Sequence, residues 1–231
     1  MRPGNVHFGE LTRKEFNDAV ADGTIEAGIV PTGATEQHQD HLAMIHDTAS
    51  VTEIVRRAAL RFWPRVVVTP TIPMTVSEHH MARGGALTVR AEVHMETVHD
   101  VCDSLMRLGV GKVMVVNGHG GNKRKNMETK APEGLARLDA MGVRYVTYWE
   151  TVSQEWYEAN LELERSAGHA GEFETSFALA RFPQRVRVGG VNYDNAKKAS
   201  LDKGKAILQA VVDGVAGEVE AMLDGEKGAG S

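Results

Sequence analysis

Four short apolar runs punctuate the chain, at 26–32, 66–68, 113–116 and 144–148. Each is too short for a helix and reads as a buried strand. Between them, apolar residues recur every three or four positions, the period of a helix packed along one face. The first such stretch is 9–22, with Phe16, Ala19 and Val20 inward and Asp22-Gly23 at its end. The second starts from a cap at Asp47 or Thr48 and runs to about Phe62, with Val51, Ile54, Val55 and Ala58 on one side. A third covers 92–108. There Val93, Val98, Val101, Leu105 and Leu108 face the core, His94 and His99 lie on the surface, and Gly109 follows the last turn. Asn122 is expected to cap a fourth helix, which Pro132 interrupts and Met141-Gly142 closes. Helices at 152–165, 177–182 and 201–223, a turn-rich segment at 183–194 and a frayed Gly-rich tail at 225–231 complete the pattern. Strand and helix alternate, which predicts an α/β layered fold on a largely parallel sheet. No linker, composition break or repeat divides the sequence, so one domain over 1–231 is expected.

Composition narrows the function classes. The 231 residues carry a formal net charge of −5, and Lys123-Arg124-Lys125 is the one basic cluster, which argues against nucleic acid or an anionic membrane as partner. No apolar run approaches the ~18 residues of a membrane span. Cys102 is the single cysteine, which fits a reducing compartment, and it reads as a small core residue. The N-terminal segment lacks the apolar region of a signal peptide, so a cytoplasmic location is expected.

The polar residues are distributed less evenly. Seven of ten histidines (His38, His41, His46, His79, His80, His119 and His169) fall in four short segments rich in Gly, Glu and Asp. The first segment leaves the first strand and places Glu36, His38, Asp40, His41, His46 and Asp47 within twelve residues. The second lies in a long loop, 69–89, with Ser77-Glu78-His79-His80 and Arg83; loops of this length inside a compact domain are usually functional. The third, Asn117-Gly-His-Gly-Gly-Asn122, follows the third strand, and the fourth, 166–176, opens a helix. In open α/β sheets ligands bind beyond the carboxyl ends of the strands, so these blocks are expected to converge on one site. His, Asp and Glu together suit Zn, Mn or Fe. Glu36 and His38, two apart on an extended exit, point the same way. Asp47 offers two oxygens that can bridge two cations. A phosphate cradle at 118–122 is the rival reading, but the P-loop Lys-Ser or Lys-Thr is absent.

Three of these blocks, Gly33-Ala-Thr-Glu-Gln-His38 with Asp47, Asn117-Gly-His-Gly-Gly-Asn122 and His169-Ala-Gly-Glu-Phe-Glu-Thr-Ser176, resemble the signature blocks of the creatininase (creatinine amidohydrolase) family in order and spacing. Phe8-Gly-Glu-Leu-Thr12 and Tyr148-Trp149 extend the likeness over nearly the whole chain. The resemblance implies a single three-layer α/β/α domain, a centre of two divalent metal ions (Zn, Mn or Fe) and a homohexamer. By motif position it implies Glu36, His38, Asp47 and His119 as ligands, with Asp47 bridging. In creatininase the second cation takes a Glu two positions after the His of the Asn-Gly-His block. Gly121 stands there in this chain, so the carboxylate must come from elsewhere; Glu174 is the choice and Glu172 the second. His169 matches a family active-site His that serves proton transfer, helped by Glu172 or Glu174. His80, Arg83 and Trp149 are the expected substrate contacts.

The implied reaction is hydrolysis of a small-molecule substrate by metal-activated water. A small polar cyclic substrate, either a cyclic amide or a keto-inositol ring, comes first, because Gly121 weighs against creatinine itself. A formamide of the formamidopyrimidine type comes second. A non-catalytic metal-binding member of an assembly, and a nucleotide binder using 118–122, are the readings from other classes.

Overall fold

The computed structural model describes residues 2–225, and the tail reading at 226–231 lies outside them. Four strands, β1 (Ala27–Thr32), β2 (Val66–Val68), β3 (Lys112–Asn117) and β4 (Arg144–Thr147), form one parallel sheet in the order β2-β1-β3-β4. Their side chains alternate between its faces. Ala27, Ile29, Val66, Val68, Met114 and Val116 join one core, and Val30, Val67, Val113 and Val115 the other. The helices divide accordingly. α2 (His46–Leu60), α7 (Glu172–Arg181) and α8 (Leu201–Leu223) cover the first face. α1 (Arg13–Ala21), α3 (Ala91–Arg107), α4 (Arg124–Lys130) and α5 (Pro132–Ala140) cover the second. A short helix, α6 (Gln154–Asn160), follows β4. The result is the three-layer α/β/α arrangement. No helix among the described residues is long and apolar enough to cross a membrane.

The chain leaves β1 through α2 on one face to reach β2, and returns through α3 on the other face to reach β3. Since β2 and β3 flank β1 on opposite sides, the sheet has its switch point between the carboxyl ends of β1 and β3, where α/β proteins open a crevice.

Several local expectations change. Thr12, inside the predicted first helix, is its N-cap, forming a reciprocal capping box with Glu15. Neither Asp47 nor Thr48 caps α2, which starts one residue earlier. The Thr48 hydroxyl donates to Ala34 O at 2.8 Å, tying the helix to the loop after β1. Asn122 is not a cap. It is buried, accepts Val76 N–H at 3.2 Å and donates to Gly33 O at 3.2 Å, joining three of the polar segments. The predicted helix at 152–165 ends at Asn160, leaving Leu163 exposed. α3 is rotated relative to its predicted stripe. Ala91, His94, Met95, Val98, Cys102 and Leu105 are buried, whereas Val93 and Leu108 are 39% and 47% exposed.

Candidate metal centre

The four polar segments meet at the switch point. Asn117, the last residue of β3, brackets the following turn: its Oδ1 accepts His119 N–H and its Nδ2 donates to His119 O, each at 2.9 Å. Gly121 then passes so close to the 76–77 backbone that a Cβ there would overlap Val76 O and the His119 ring, which only glycine avoids. His119 is thereby aimed back at the first turn of α2.

Asp47 lies in that turn and is buried. Its Oδ1 is 2.9 Å from His38 Nε2 and its Oδ2 is 2.9 Å from His119 Nδ1. The remote nitrogens of these rings face backbone carbonyls, His38 Nδ1 on Glu36 O and His119 Nε2 on Val76 O, both at 3.0 Å. A carbonyl only accepts, so those nitrogens carry N–H, and the ring nitrogens facing Asp47 are the ones that can offer a lone pair. Without a cation they hold protons instead. Burial pushes both imidazoles down, but Asp47, with Glu174 for His38 and Glu36 for His119, outweighs it and raises each to about 10. The same protons hold the Asp47 carboxyl far below the usual range despite its burial.

Two carboxylates complete the arrangement. Glu36 Oε1 is 3.3 Å from His119 Nδ1, while Oε2 is buried with no hydrogen-bond partner. Glu174 Oε2 is 3.6 Å from His38 Nε2, and burial, only partly offset by His38, pushes that carboxyl up to about 8. Asp47 thus faces His119, which Glu36 also approaches, with one oxygen, and His38, which Glu174 also approaches, with the other. Buried carboxylates this close need a positive charge, and an orphaned carboxylate oxygen needs a partner. This donor set fits divalent cations. Ligand atoms of Glu36, His38 and Asp47, and of His38, His169 and Glu174, lie within 4.8 Å of one another.

Around Glu36 stand further imidazoles. His80 Nε2 and His169 Nδ1 are 3.4 and 3.8 Å from Oε1, and the two rings stack 4.3 Å apart. Burial pushes His169 down to about 4. His46 is buried against Phe177 and pushed down to about 3, first by burial and then by the His38 charge. His41 pairs with Thr175 Oγ1 at 2.9 Å.

The fourth segment is shaped by a buried carboxylate that sequence reasoning did not single out. Glu164 Oε2 accepts Phe173 N–H at 2.8 Å, and the backbone at Gly171 runs so tightly past its carboxylate that a Cβ would collide with it. Ala170 adopts φ 51°, a conformation unusual for a residue with a Cβ, and its N–H donates to Glu174 Oε2 at 2.5 Å. Glu172 requires a correction. Its carboxylate accepts the Glu162 and Leu163 N–H groups at 2.9–3.1 Å and pairs with Lys203 of α8, so it anchors the loop and does not reach the cluster. Trp149 also differs from expectation. It is buried in the core beneath α8, and its carbonyl accepts the Tyr157 hydroxyl at 2.7 Å. Arg83 is exposed on the 78–83 turn, with no hydrogen bond or ion pair among the described residues. Gln37, which joins His80 to His169, and His79, stacked 5.7 Å from His119, were not given roles from sequence; their signal was only their position beside motif residues.

Comparison with known proteins gives a consistent picture. The creatininase family model (creatinine amidohydrolase) matches residues 9–194, which contain all four polar segments. Creatinine amidohydrolase of Pseudomonas putida is 28% identical over 251 residues, covering 92% of this chain and 95% of that protein. 3-Dehydro-scyllo-inosose hydrolase of Thermotoga maritima is 26% identical over 187 residues, covering 79% of this chain and 58% of that protein. A crystal structure of creatinine amidohydrolase superposes with a TM-score of 0.80 at 28% identity, over 93% of this chain and 96% of the other. Solved creatininase structures include a manganese form and a zinc–zinc form. A family match over most of the chain and a shared fold along almost its whole length agree, and the chain belongs to the creatininase family of hydrolases.

Proposed function

We propose that the chain is a dinuclear metal-dependent hydrolase that opens a small polar cyclic substrate, a cyclic amide or a keto-inositol ring, with water. The observation that carries this reading is Asp47, whose two oxygens each face a different imidazole at 2.9 Å. Glu36, Asp47 and His119 would hold one ion, and His38, Asp47 and Glu174 the other; mixed nitrogen and oxygen donors suit Zn, Mn or Fe. When bound, such ions supply an acidified water and a polarised carbonyl.

The chain's own residues do the rest. The carbonyls of Glu36 and Val76 fix the ligand rings in one tautomer, a second contact that commonly orients metal-binding histidines. His169 acts on the reacting atoms, and His80 lines the pocket beside it. Arg83 is available to a polar or anionic substituent of the ring. The likeness to creatinine amidohydrolase supports the cyclic-amide arm, and the likeness to 3-dehydro-scyllo-inosose hydrolase supports the keto-inositol arm. Gly121, with no room for a side chain, supports a metal shell whose last carboxylate is Glu174. The homohexamer is part of the proposal; Met44, Met74, Met81 and Leu87, all exposed, offer apolar surface for it.

The test is metal analysis before and after chelator dialysis, with a hydrolysis screen over creatinine, cyclic imides, keto-inositols and formamidopyrimidines. The wild type is expected to hold about two ions per chain and lose activity with them. Asp47→Ala, still folded, is expected to lose both ions and at least ~100-fold in kcat/KM. A folded wild type that takes up no metal and gains no activity from it sinks the proposal.

A further inference from the structure

Hydrogen-bond partners make lone pairs available on His38 and His119; around His80 and His169 they do the opposite. Gln37 Nε2 lies 2.8 Å from His80 Nδ1 and 2.9 Å from His169 Nε2. A primary amide nitrogen can only donate. The amide is held against turning over, because Gln37 Oε1 accepts Gln39 N–H at 3.1 Å; reversed, it would set an NH2 against that N–H. Both ring nitrogens facing Gln37 therefore carry lone pairs. In the neutral rings the protons then reside on His80 Nε2 and His169 Nδ1, the nitrogens that face Glu36 Oε1 at 3.4 and 3.8 Å. The rings stack at 21°, and both N–H groups face the same carboxylate oxygen.

We propose that Gln37 is a positioning residue that locks His80 and His169 with their N–H groups toward the reacting centre. This inference rests on the hydrolase reading above and deepens it. A protonated ring nitrogen has no lone pair for a cation, so the imidazoles of the site divide into two kinds. His38 and His119 are turned to ligate. His80 and His169 are turned to donate. When hydroxide, formed from an acidified water that has already lost its proton to solvent, adds to the carbonyl carbon, the C=O π pair moves onto oxygen, and a neutral imidazole N–H aimed at that oxygen stabilises the charge without losing its proton. Held this way, His169 cannot accept a proton at Nδ1, and it can accept one at Nε2 only by breaking its bond to Gln37. Gln37 thus sets the chemical sense of His169.

Long-range 1H–15N spectra of the zinc-loaded, 15N-labelled protein at neutral pH read the ring tautomers directly, with His169 assigned by its loss in a His169→Asn variant. His169 is expected to carry its proton on Nδ1 and His80 on Nε2. In Gln37→Glu the carboxylate can only accept, so both rings should reverse. kcat should fall about a hundredfold with KM little changed and zinc retained, a split that a merely structural residue would not give. Wild-type His169 protonated on Nε2, or tautomers unchanged by Gln37→Glu, would overturn the inference. Gln37→Met, which offers no amide, is the second variant should the glutamate impair folding, and there His169 should lose its Nδ1–H preference. A wild type that retains none of zinc, manganese or iron would sink the hydrolase reading separately, since the tautomers can equally be read in metal-free protein.

Discussion

At the scale of single residues, protons stand between Asp47 and the two imidazoles of the candidate metal centre. His38 and His119, each raised to about 10, carry a positive charge at pH 7–8 in the metal-free protein. A cation reaches either lone pair only by displacing a proton. Glu174, pushed up to about 8, is also mostly protonated at pH 7.5 and must give up its proton to ligate. Loading both positions should therefore release between about two and three protons at pH 7.5, and apparent affinity should rise about tenfold per pH unit at the His119 position and more steeply below pH 8 at the position shared by His38 and Glu174. Zinc titration calorimetry at pH 7.5 in buffers of different ionisation enthalpy measures this, and a heat independent of buffer would count against it. Gly121 belongs to the same scale. Because a Cβ there meets a backbone carbonyl and a buried ring, Gly121→Ala should destabilise the protein by about 1–3 kcal/mol, read from the urea midpoint. Glu36, His38, Asp47 and His119 could be singled out in the sequence because their motifs follow strand ends and resemble the family's blocks, and the fold brings them together. Gln37 and Glu164 were not, because a side chain that orients another leaves no spacing pattern of its own.

At the scale of elements, α3 shows where periodicity misleads. The stripe through Val93 and Leu108 and the stripe through Ala91, His94 and Met95 share Val98 and Leu105, so both fit a helical period. Counting His94 as polar selected the wrong one. In the fold it is 1% exposed, and neither ring nitrogen has a partner. Burial, aided by the His119 charge, pushes it down to about 4. The unfolded chain, with an ordinary value near 6.5, binds the proton more readily, so stability falls as pH drops from 6.5 toward 4. The full effect is about 3 kcal/mol, roughly 2 kcal/mol of it already lost at pH 5. His94→Leu should flatten that part of the profile in urea unfolding at pH 7.5 and 5, and an unchanged slope would show that His94 is not its source. The loop before α7 makes a related point. Glu164 and Glu172 hold it from within and from α8, so an acidic motif that reads as catalytic is partly scaffolding.

At the scale of the molecule, the layered architecture and parallel sheet followed from alternation of short apolar runs with amphipathic stretches. The order β2-β1-β3-β4 did not, since strand neighbours depend on which face each connecting helix takes, and the runs themselves are apolar on both sides. That order, with β1 central, places the crevice between β1 and β3 and makes the motifs meet.

It also spaces them far apart in the chain. Gln37 and His169 are separated by 132 residues. During synthesis at about 5–20 residues per second, roughly 7–26 seconds pass between the appearance of one and the other. Through that interval the nascent chain displays Glu36, His38 and Asp47 without Glu174, and His169 has yet to be made. An N-terminal fragment could therefore bind a cation with only part of the final donor set. The full donor set proposed above exists only once the chain through Glu174 has been made.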